Sequence, residues 1–477
     1  MENLASLAEI QSAIKNNELN LPDLADHYLK RIHDNWNLNA FVEVFEDDVK
    51  KQAIEIQKKI ENNTAGILAG MLIGIKDNIC YRGHLVSACS KILENYTSPY
   101  SATVVERLIA QDAIIIGRLN CDEFAMGASN ESSVYGPVKN YADQTKVSGG
   151  SSGGAAVAVQ AGLCLAALGT DTGGSVRQPA AFCGVFGLKP TYGRVSRYGI
   201  ISYASSFDQV GPITKTIEDA AILLQVIAGT DDFDSTVSSK SVPKYIDTLA
   251  LTGKKKIAYF FEVLNAPALD PEIKAAFEKS IAQLKADGNT VEAISFKYVD
   301  FVVPAYYILT MAEASSNLAR YDGVHFGYRD EEASDLETTY KKSRSQGFGA
   351  EVKRRIMLGT FILSSGYYDA YYSKAQKVRR LIRDKTDEIL QQYDFILTPT
   401  TPTPAFSIGE KDDNPVIKYL ADIFTVQASL AGLPAISIPA GNNKKGLPLG
   451  LQLIGKRFAE ADLLAFARYF EQNLVKI

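Results

Sequence analysis

Two stretches of this chain combine serine with runs of glycine: Gly149-Gly150-Ser151-Ser152-Gly153-Gly154 and Asp171-Thr172-Gly173-Gly174-Ser175-Val176-Arg177-Gln178-Pro179. A serine hydroxyl becomes a nucleophile only when a base removes its proton, and the oxyanion it creates needs N–H donors. Two glycines directly before Ser175 free the backbone to turn its N–H groups toward one point, the geometry of an oxyanion hole. Pro179 then suits the first turn of a following helix. A plain Gly-Gly turn with a capping serine is the alternative to this chemical reading.

The first loop admits three readings. A phosphate loop requires G-x-x-x-x-G-K-[ST], and no lysine follows Gly154. Gly150, Ser152 and Gly154 satisfy G-x-S-x-G, but a nucleophile elbow needs a preceding strand and a downstream acid and histidine. Residues 141–148 are polar, and only His325 lies downstream, so that reading fails too. The third is a loop that presents a serine hydroxyl and backbone N–H groups at a helix start, where the dipole favours negative charge. A helix N-cap with flexible glycines is the plainer version of it.

The base that such serines require is not a histidine. The four histidines, at 27, 33, 84 and 325, show no metal or triad spacing, and no C-x-x-C pair exists, so no metal site is expected. Lys76 is the candidate. A free lysine, with a pKa near ~10.4, is protonated at neutral pH, but burial disfavours the ammonium. Lys76 closes the apolar run 72–75, and strand alternation sends the side chain of Asp77 the other way. Most lysines are solvated surface charges, which is the competing reading for this one.

The elements that must position these groups follow from the pattern. The first sixty residues read as helices: Ser6 with Glu9 has capping-box spacing, Pro22-Asp23 opens an amphipathic run, and a third run covers 47–60. Apolar strands are expected at 72–75 and 113–117, and a strongly apolar helix at 155–168. Residues 231–253 read as a surface excursion. Strand 256–261, helix 271–286 and strand 290–294 form a βαβ unit, which implies mixed or parallel sheet. A long helical section spans 302–393, and strands return at 395–397, 435–438 and 449–454.

Bulk properties bound the rest. The 477 residues are 46% hydrophobic and 22% charged, with a formal net charge of −5. Such a chain can bury a large core and offers no global attraction to nucleic acid or anionic membrane. Five cysteines without pair spacing fit reduced thiols in the cytoplasm, and Cys80 and Cys183, close to the motifs, read as small buried hydrophobes. The N-terminus shows neither signal nor transit pattern, and no apolar run is long enough to span a bilayer, so a soluble protein is expected.

Taken together and in this order, Gly74-Ile75-Lys76-Asp77-Asn78 and the two serine loops resemble the amidase signature family, over about residues 5–470. The resemblance implies an α/β fold, a central mixed β-sheet flanked by helices on both faces. In that layout 1–65 is an N-terminal helical segment packed on the core. Residues 66–477 are the amidase domain with its helical insertion at about 302–393, all in a single compact unit. It also implies a Ser-cisSer-Lys triad in which Lys76 is the base, Ser151 relays the proton and Ser175 is the nucleophile. The N–H groups of Thr172, Gly173, Gly174 and Ser175 would then form the oxyanion hole.

Three further segments, 126–131 (Met126-Gly127-Ala128-Ser129-Asn130-Glu131), 186–199 and 312–323, look like the branch of that family that serves glutamyl-tRNA(Gln) amidotransferases. That likeness implies L-glutamine as ammonia donor, with Tyr306, Arg355, Asp422, Met126, Gly127 and Ser129 at the substrate. It implies a cytoplasmic heterotrimer with a B subunit and a small C subunit. ATP and Mg²⁺ would be used at the partner subunit, with no cofactor in this chain, and Glu-tRNA(Gln) would be held mainly by that partner. Ala128 and Val147-Ser148 depart from the family's usual residues, away from the triad. A stand-alone amidase for small or fatty amides and a non-catalytic scaffold subunit remain as alternatives.

Overall fold

The structure, a computed structural model, describes residues 5–410 and 422–473. Eleven strands form one mixed sheet: β1 (Phe41–Val44), β2 (Leu72–Lys76), β3 (Ile114–Leu119), β4 (Ala166–Asp171), β5 (Phe186–Lys189), β6 (Gln209–Thr214), β7 (Lys256–Phe260), β8 (Thr290–Ile294), β9 (Phe395–Pro399), β10 (Ala435–Asn442) and β11 (Pro448–Ile454). Their order across the sheet is β1-β3-β2-β4-β6-β5-β10-β11-β9-β7-β8. β2 runs parallel to both β3 and β4, so the chain ends of all three open on the same edge. Ligand sites of open α/β sheets form at such an edge.

Alternation along the strands builds two cores. In β9, Phe395 and Leu397 join one apolar cluster while Ile396 joins the other, and β7 divides Ile257 from Ala258 in the same way. The expected βαβ unit is present: β7 and β8 are parallel and joined through the helix Pro271–Ala286. The central mixed sheet flanked by helices is the architecture that the sequence implied.

Three expectations change. The N-terminal segment is not wholly helical, because Phe41–Val44 forms β1 and pairs antiparallel with β3, placing this segment in the main sheet. The apolar run 155–168 is not one helix. A helix covers Gly153–Gln160, Gly162 takes a positive φ of 65°, and the chain re-enters the sheet as β4. A residue in that left-handed conformation ends a helix readily when it is glycine. Finally, β5 and β6 lie in a glycine- and serine-rich stretch without a strand signature. The helical section resolves into Val299–Asn317, Leu336–Gly347, Ala350–Leu363 and Lys374–Gln392. Among the described residues, no helix is long and apolar enough to cross a membrane.

Candidate active site

Lys76 is the last residue of β2 and is fully buried. Its Nζ lies 2.7 Å from Ser151 Oγ, 2.9 Å from Ser152 Oγ and 3.0 Å from Thr170 Oγ1. The second of these hydroxyls donates to the carbonyl of Thr170 and therefore accepts from the lysine. The third already accepts from Asn78 Nδ2. A neutral amine has two N–H groups and one lone pair. With both N–H groups directed at Ser152 and Thr170, the lone pair faces the Ser151 hydroxyl. Burial lowers the lysine's pKa, against the nearby Cys121, Asp122, Cys89 and Asp171, which favour its charged form.

Asp77 faces away, as alternation requires. Its carboxylate pairs with Arg118 at 2.5 Å and accepts from Ser87 and from the Cys89 N–H. Its charge is thus neutralised on the far side of β2.

The peptide between Gly150 and Ser151 is cis. Gly150 N–H donates to Gln178 Oε1 at 2.8 Å, and Gln178 Nε2 reaches the Ala128 carbonyl at 2.9 Å. The Ser151 carbonyl accepts from Asp122 N–H, and Ser152 N–H donates to the Ser175 carbonyl at 3.1 Å, which ties the two serine loops together. A Cβ at Gly150 would overlap the Asp122 carboxylate, so this close approach requires glycine.

The second loop is ordered from below by an ion pair. Asp171 and Arg177, both fully buried, form a two-pronged bond through Nε and Nη2 at 2.9 and 2.8 Å. Burial alone would raise the Asp171 pKa, but the guanidinium holds it below the usual carboxylate range. The same carboxylate accepts the Gly174 N–H at 2.9 Å. Gly174 is therefore not a free oxyanion donor: its N–H is spent on fixing the turn. Among the described residues, the N–H groups of Thr172, Gly173 and Ser175 make no hydrogen bond within the chain. Ser175 itself is 8% exposed, whereas Ser151 is fully buried. No direct hydrogen bond joins their two hydroxyls, so of the relay only the Lys76–Ser151 leg is closed in this structure.

Beyond the loops stands a ring of aromatic and charged groups, Tyr306, Tyr307 and Arg355 from the helical section and Tyr203 and Asp422 from outside it. The phenol of Tyr306 packs where a Cβ on Gly173 would otherwise sit. Arg355 is buried, with Nε on Glu351 at 2.9 Å, Nη1 on Tyr203 Oη at 2.8 Å, and its guanidinium near the rings of Tyr203 and Tyr307. Its neighbour Arg354 is exposed and pairs with Glu351 at the surface. Half-buried Asp422 accepts from Tyr307 Oη at 2.6 Å. Burial pushes its carboxyl up to about 6, against the opposing pull of Tyr307 and Arg355. Thr425 links this end to the loop, its hydroxyl donating to the Gly173 carbonyl at 2.5 Å and its N–H to the Asp422 carbonyl at 3.0 Å.

Gly127 and Ser129 are half-buried, and Ser129 N lies against Gly150. Met126 instead turns into the apolar core with Phe124, so its side chain is fully buried. Several neighbours escaped the sequence reading: Ser152 and Thr170 on the lysine, Gln178 and Asp122 on the Ser151 loop, and Tyr203 and Tyr307 on Arg355. Ser152 and Gln178 stand inside the motifs already singled out, which is the signal that could have found them.

A second lysine, Lys189, is as deeply buried, and burial lowers its pKa to about 7. Its Nζ donates to the carbonyls of Leu433 and Pro190, at 2.6 and 3.1 Å. Carbonyls only accept. They hold this amine in place and offer no proton for it to take, whereas the hydroxyls around Lys76 can do both.

Comparison with known proteins places this geometry. A family model described as Amidase matches residues 23–464. The A subunit of glutamyl-tRNA(Gln) amidotransferase from Nitrosococcus oceani is 50% identical, covering 98% of this chain and 97% of that protein. The protein of that name from Koribacter versatilis is 49% identical, covering 100% and 99%. Among solved structures, the A subunit of glutamyl-tRNA(Gln) amidotransferase from Thermotoga maritima is 41% identical with a TM-score of 0.80, covering 98% of this chain and 94% of that one. The peptide amidase of Stenotrophomonas maltophilia is 29% identical with a TM-score of 0.84, covering 99% and 97%. With a family match over most of its length and full-length relatives at half identity, this chain belongs to the amidase signature family.

Proposed function

We propose that this chain is the glutamine-hydrolysing subunit of a glutamyl-tRNA(Gln) amidotransferase, releasing ammonia from L-glutamine through Lys76, Ser151 and Ser175. The observation that carries the reading is the pairing of two features on one loop. A buried lysine shares a hydroxyl with the serine loops, and the Gly173–Gly174 turn is closed by Tyr306 and Thr425, beside which a buried cation, Arg355, and a carboxylate, Asp422, meet at Tyr307. Glutamine presents a carboxylate, an ammonium and a distal amide, the three groups this arrangement complements. Arg355 has guanidinium N–H groups left over for a carboxylate, and Asp422 has an oxygen left over for an ammonium.

Ser175 Oγ attacks the side-chain amide carbon while its proton passes through Ser151 to the neutral Nζ of Lys76. The resulting oxyanion is held by the N–H groups of Thr172, Gly173 and Ser175. The proton then returns to the leaving nitrogen, the C–N bond breaks, ammonia departs, and water hydrolyses the γ-glutamyl ester to glutamate. Engaging Ser175 with Ser151 requires the second relay leg to close when substrate binds; hydrogen bonds of this kind are often loose before substrate arrives.

On this reading the ammonia is used by a B subunit that holds Glu-tRNA(Gln) and activates it with ATP and Mg²⁺, with a small C subunit completing a cytoplasmic heterotrimer. Two observations support assembly in that compartment. All five cysteines are free thiols, including Cys89 and Cys121, whose sulfurs lie 3.5 Å apart. Met357 (72% exposed), Leu358 and Phe361 on the helix that carries Arg355, with Tyr367, Tyr368 and Tyr371 just after it, form an exposed apolar face. Contiguous apolar surface of this kind marks a partner.

The test is ammonia release from L-glutamine by the chain co-purified with its partners, with glutamyl-tRNA and ATP added midway. Glutamine-selective release that rises on the addition is the expected result. Turnover of simple amides with indifference to glutamine would reassign the chain to the stand-alone amidases.

A further inference from the structure

The proton that leaves Ser175 makes an ammonium of Lys76 in a site closed to water, and a buried charge needs an opposite charge to accommodate it. Four groups on the neighbouring elements favour the charged lysine electrostatically: Cys89 after β2, Cys121 and Asp122 after β3, and Asp171 at the end of β4. The two thiols are buried, and burial drives the Cys89 thiol well above its ordinary pKa, so it stays neutral. Asp171 is bound by the guanidinium of Arg177, and Asp77, next in sequence to the lysine, by that of Arg118. Asp122 differs from both carboxylates. It is fully buried, which pushes its carboxyl up, and among the described residues its oxygens accept only from neutral donors, which with the Lys76 charge pull it back down: Asn130 N–H at 2.9 Å, and the Ser132 N–H and hydroxyl at 3.3 and 2.8 Å. Gly127 and Gly150 carry no side chain where a Cβ would overlap this carboxylate, and the Asp122 N–H holds the Ser151 carbonyl at 3.1 Å.

We propose that Asp122 is a positioning residue for the reaction, the unneutralised carboxylate that balances the proton on Lys76 while the acyl-enzyme forms. The inference rests on the role given to Lys76 above. Asp122 makes no hydrogen bond to Ser175, and it acts through the lysine.

Asp122→Asn keeps the shape and removes the charge. In the assembled enzyme at saturating glutamine, kcat falls by about tenfold, because the proton acceptor has become a weaker base. The acid limb of the kcat–pH profile moves down by roughly one unit, because the lysine sheds its proton more readily. Saturation keeps substrate binding out of the profile. A lower plateau with the limb in place, or a limb moved upward, would overturn the proposal and leave Asp122 a loop brace only.

A second measurement needs no substrate, and so is independent of the glutaminase reading. Thermal midpoints are compared for D122N, K76M and the double variant D122N/K76M at a pH on the acid side of that limb, where Lys76 carries its proton. The double variant is expected to lose less than the sum of the single losses, since each single change leaves the other group without its counterpart. Additive losses would overturn the coupling, and the double variant remains informative if D122N alone accumulates poorly.

Discussion

The sheet edge and the helical section meet at Gly173, and they are built on opposite principles. On the sheet side, Lys76, Ser151, Ser152, Thr170 and the Asp171–Arg177 pair are buried and joined to one another, and every approach is made close by glycine. On the other side stand long side chains: Tyr306 and Arg355 from the helical section and Asp422 from beyond it, all from elements separated widely in sequence. The contrast teaches a division of labour. On the proposed reading, bond chemistry, which tolerates little displacement, sits on rigid strands and backbone, while substrate reading is left to side chains that can be exchanged one at a time.

Each prediction tries that division. The largest effect is expected from Ser175→Ala, which removes the attacking atom: turnover should fall by roughly 10⁴-fold or more, and mass spectrometry should find no acyl-enzyme. Normal acylation in this variant would dissolve the chemical half of the comparison. Next is Arg355→Lys, which keeps the charge but loses the planar fork. KM for glutamine should rise about 10- to 100-fold with kcat little changed. A matching collapse of kcat would show that recognition and chemistry are not separable here.

The smallest effect concerns pH. Asp422 titrates near 6 and must be ionised to accept an ammonium, so KM should rise as pH falls through 6 while kcat keeps its own profile. Asp422→Asn should raise KM by about tenfold and abolish that dependence. A KM that stays flat through pH 6 in the unaltered chain would remove Asp422 from the binding role.

How much of this was legible follows the same line. Lys76 and the two serine loops are contiguous motifs, and strand alternation alone sends Asp77 to Arg118 and away from the lysine. The binding residues could be named only through resemblance, because nothing local separates buried Arg355 from exposed Arg354. Met126, placed at the substrate by the same resemblance, shares its apolar cluster with Tyr306. The oxyanion set was read one donor too large, since the Asp171 side chain that claims Gly174 N–H can be seen only in three dimensions. At 155–168 an apolar run interrupted only by Gln160 and Gly162 has no period to tell a buried helix from a buried strand, and Gly162 marks the change. β6 carries Pro212, a residue that argues against an interior strand, yet it lies between β4 and β5. Asp122 stood in plain view beside a recognised motif. Its meaning depends on Arg177 and Arg118 having claimed the other two carboxylates.

The glycines at the joint also bound how this site can change. A side chain grown at Gly150 would strike Asp122, at Gly173 Tyr306, and at Gly174 Thr425. The floor of the cleft therefore has almost no neighbouring sequences that still fold around the same lysine. Its far wall, supplied by the helical section, has many. An engineer seeking a different amide would find the chemistry locked and the specificity open, with Tyr306, Arg355 and Asp422 as the positions to randomise.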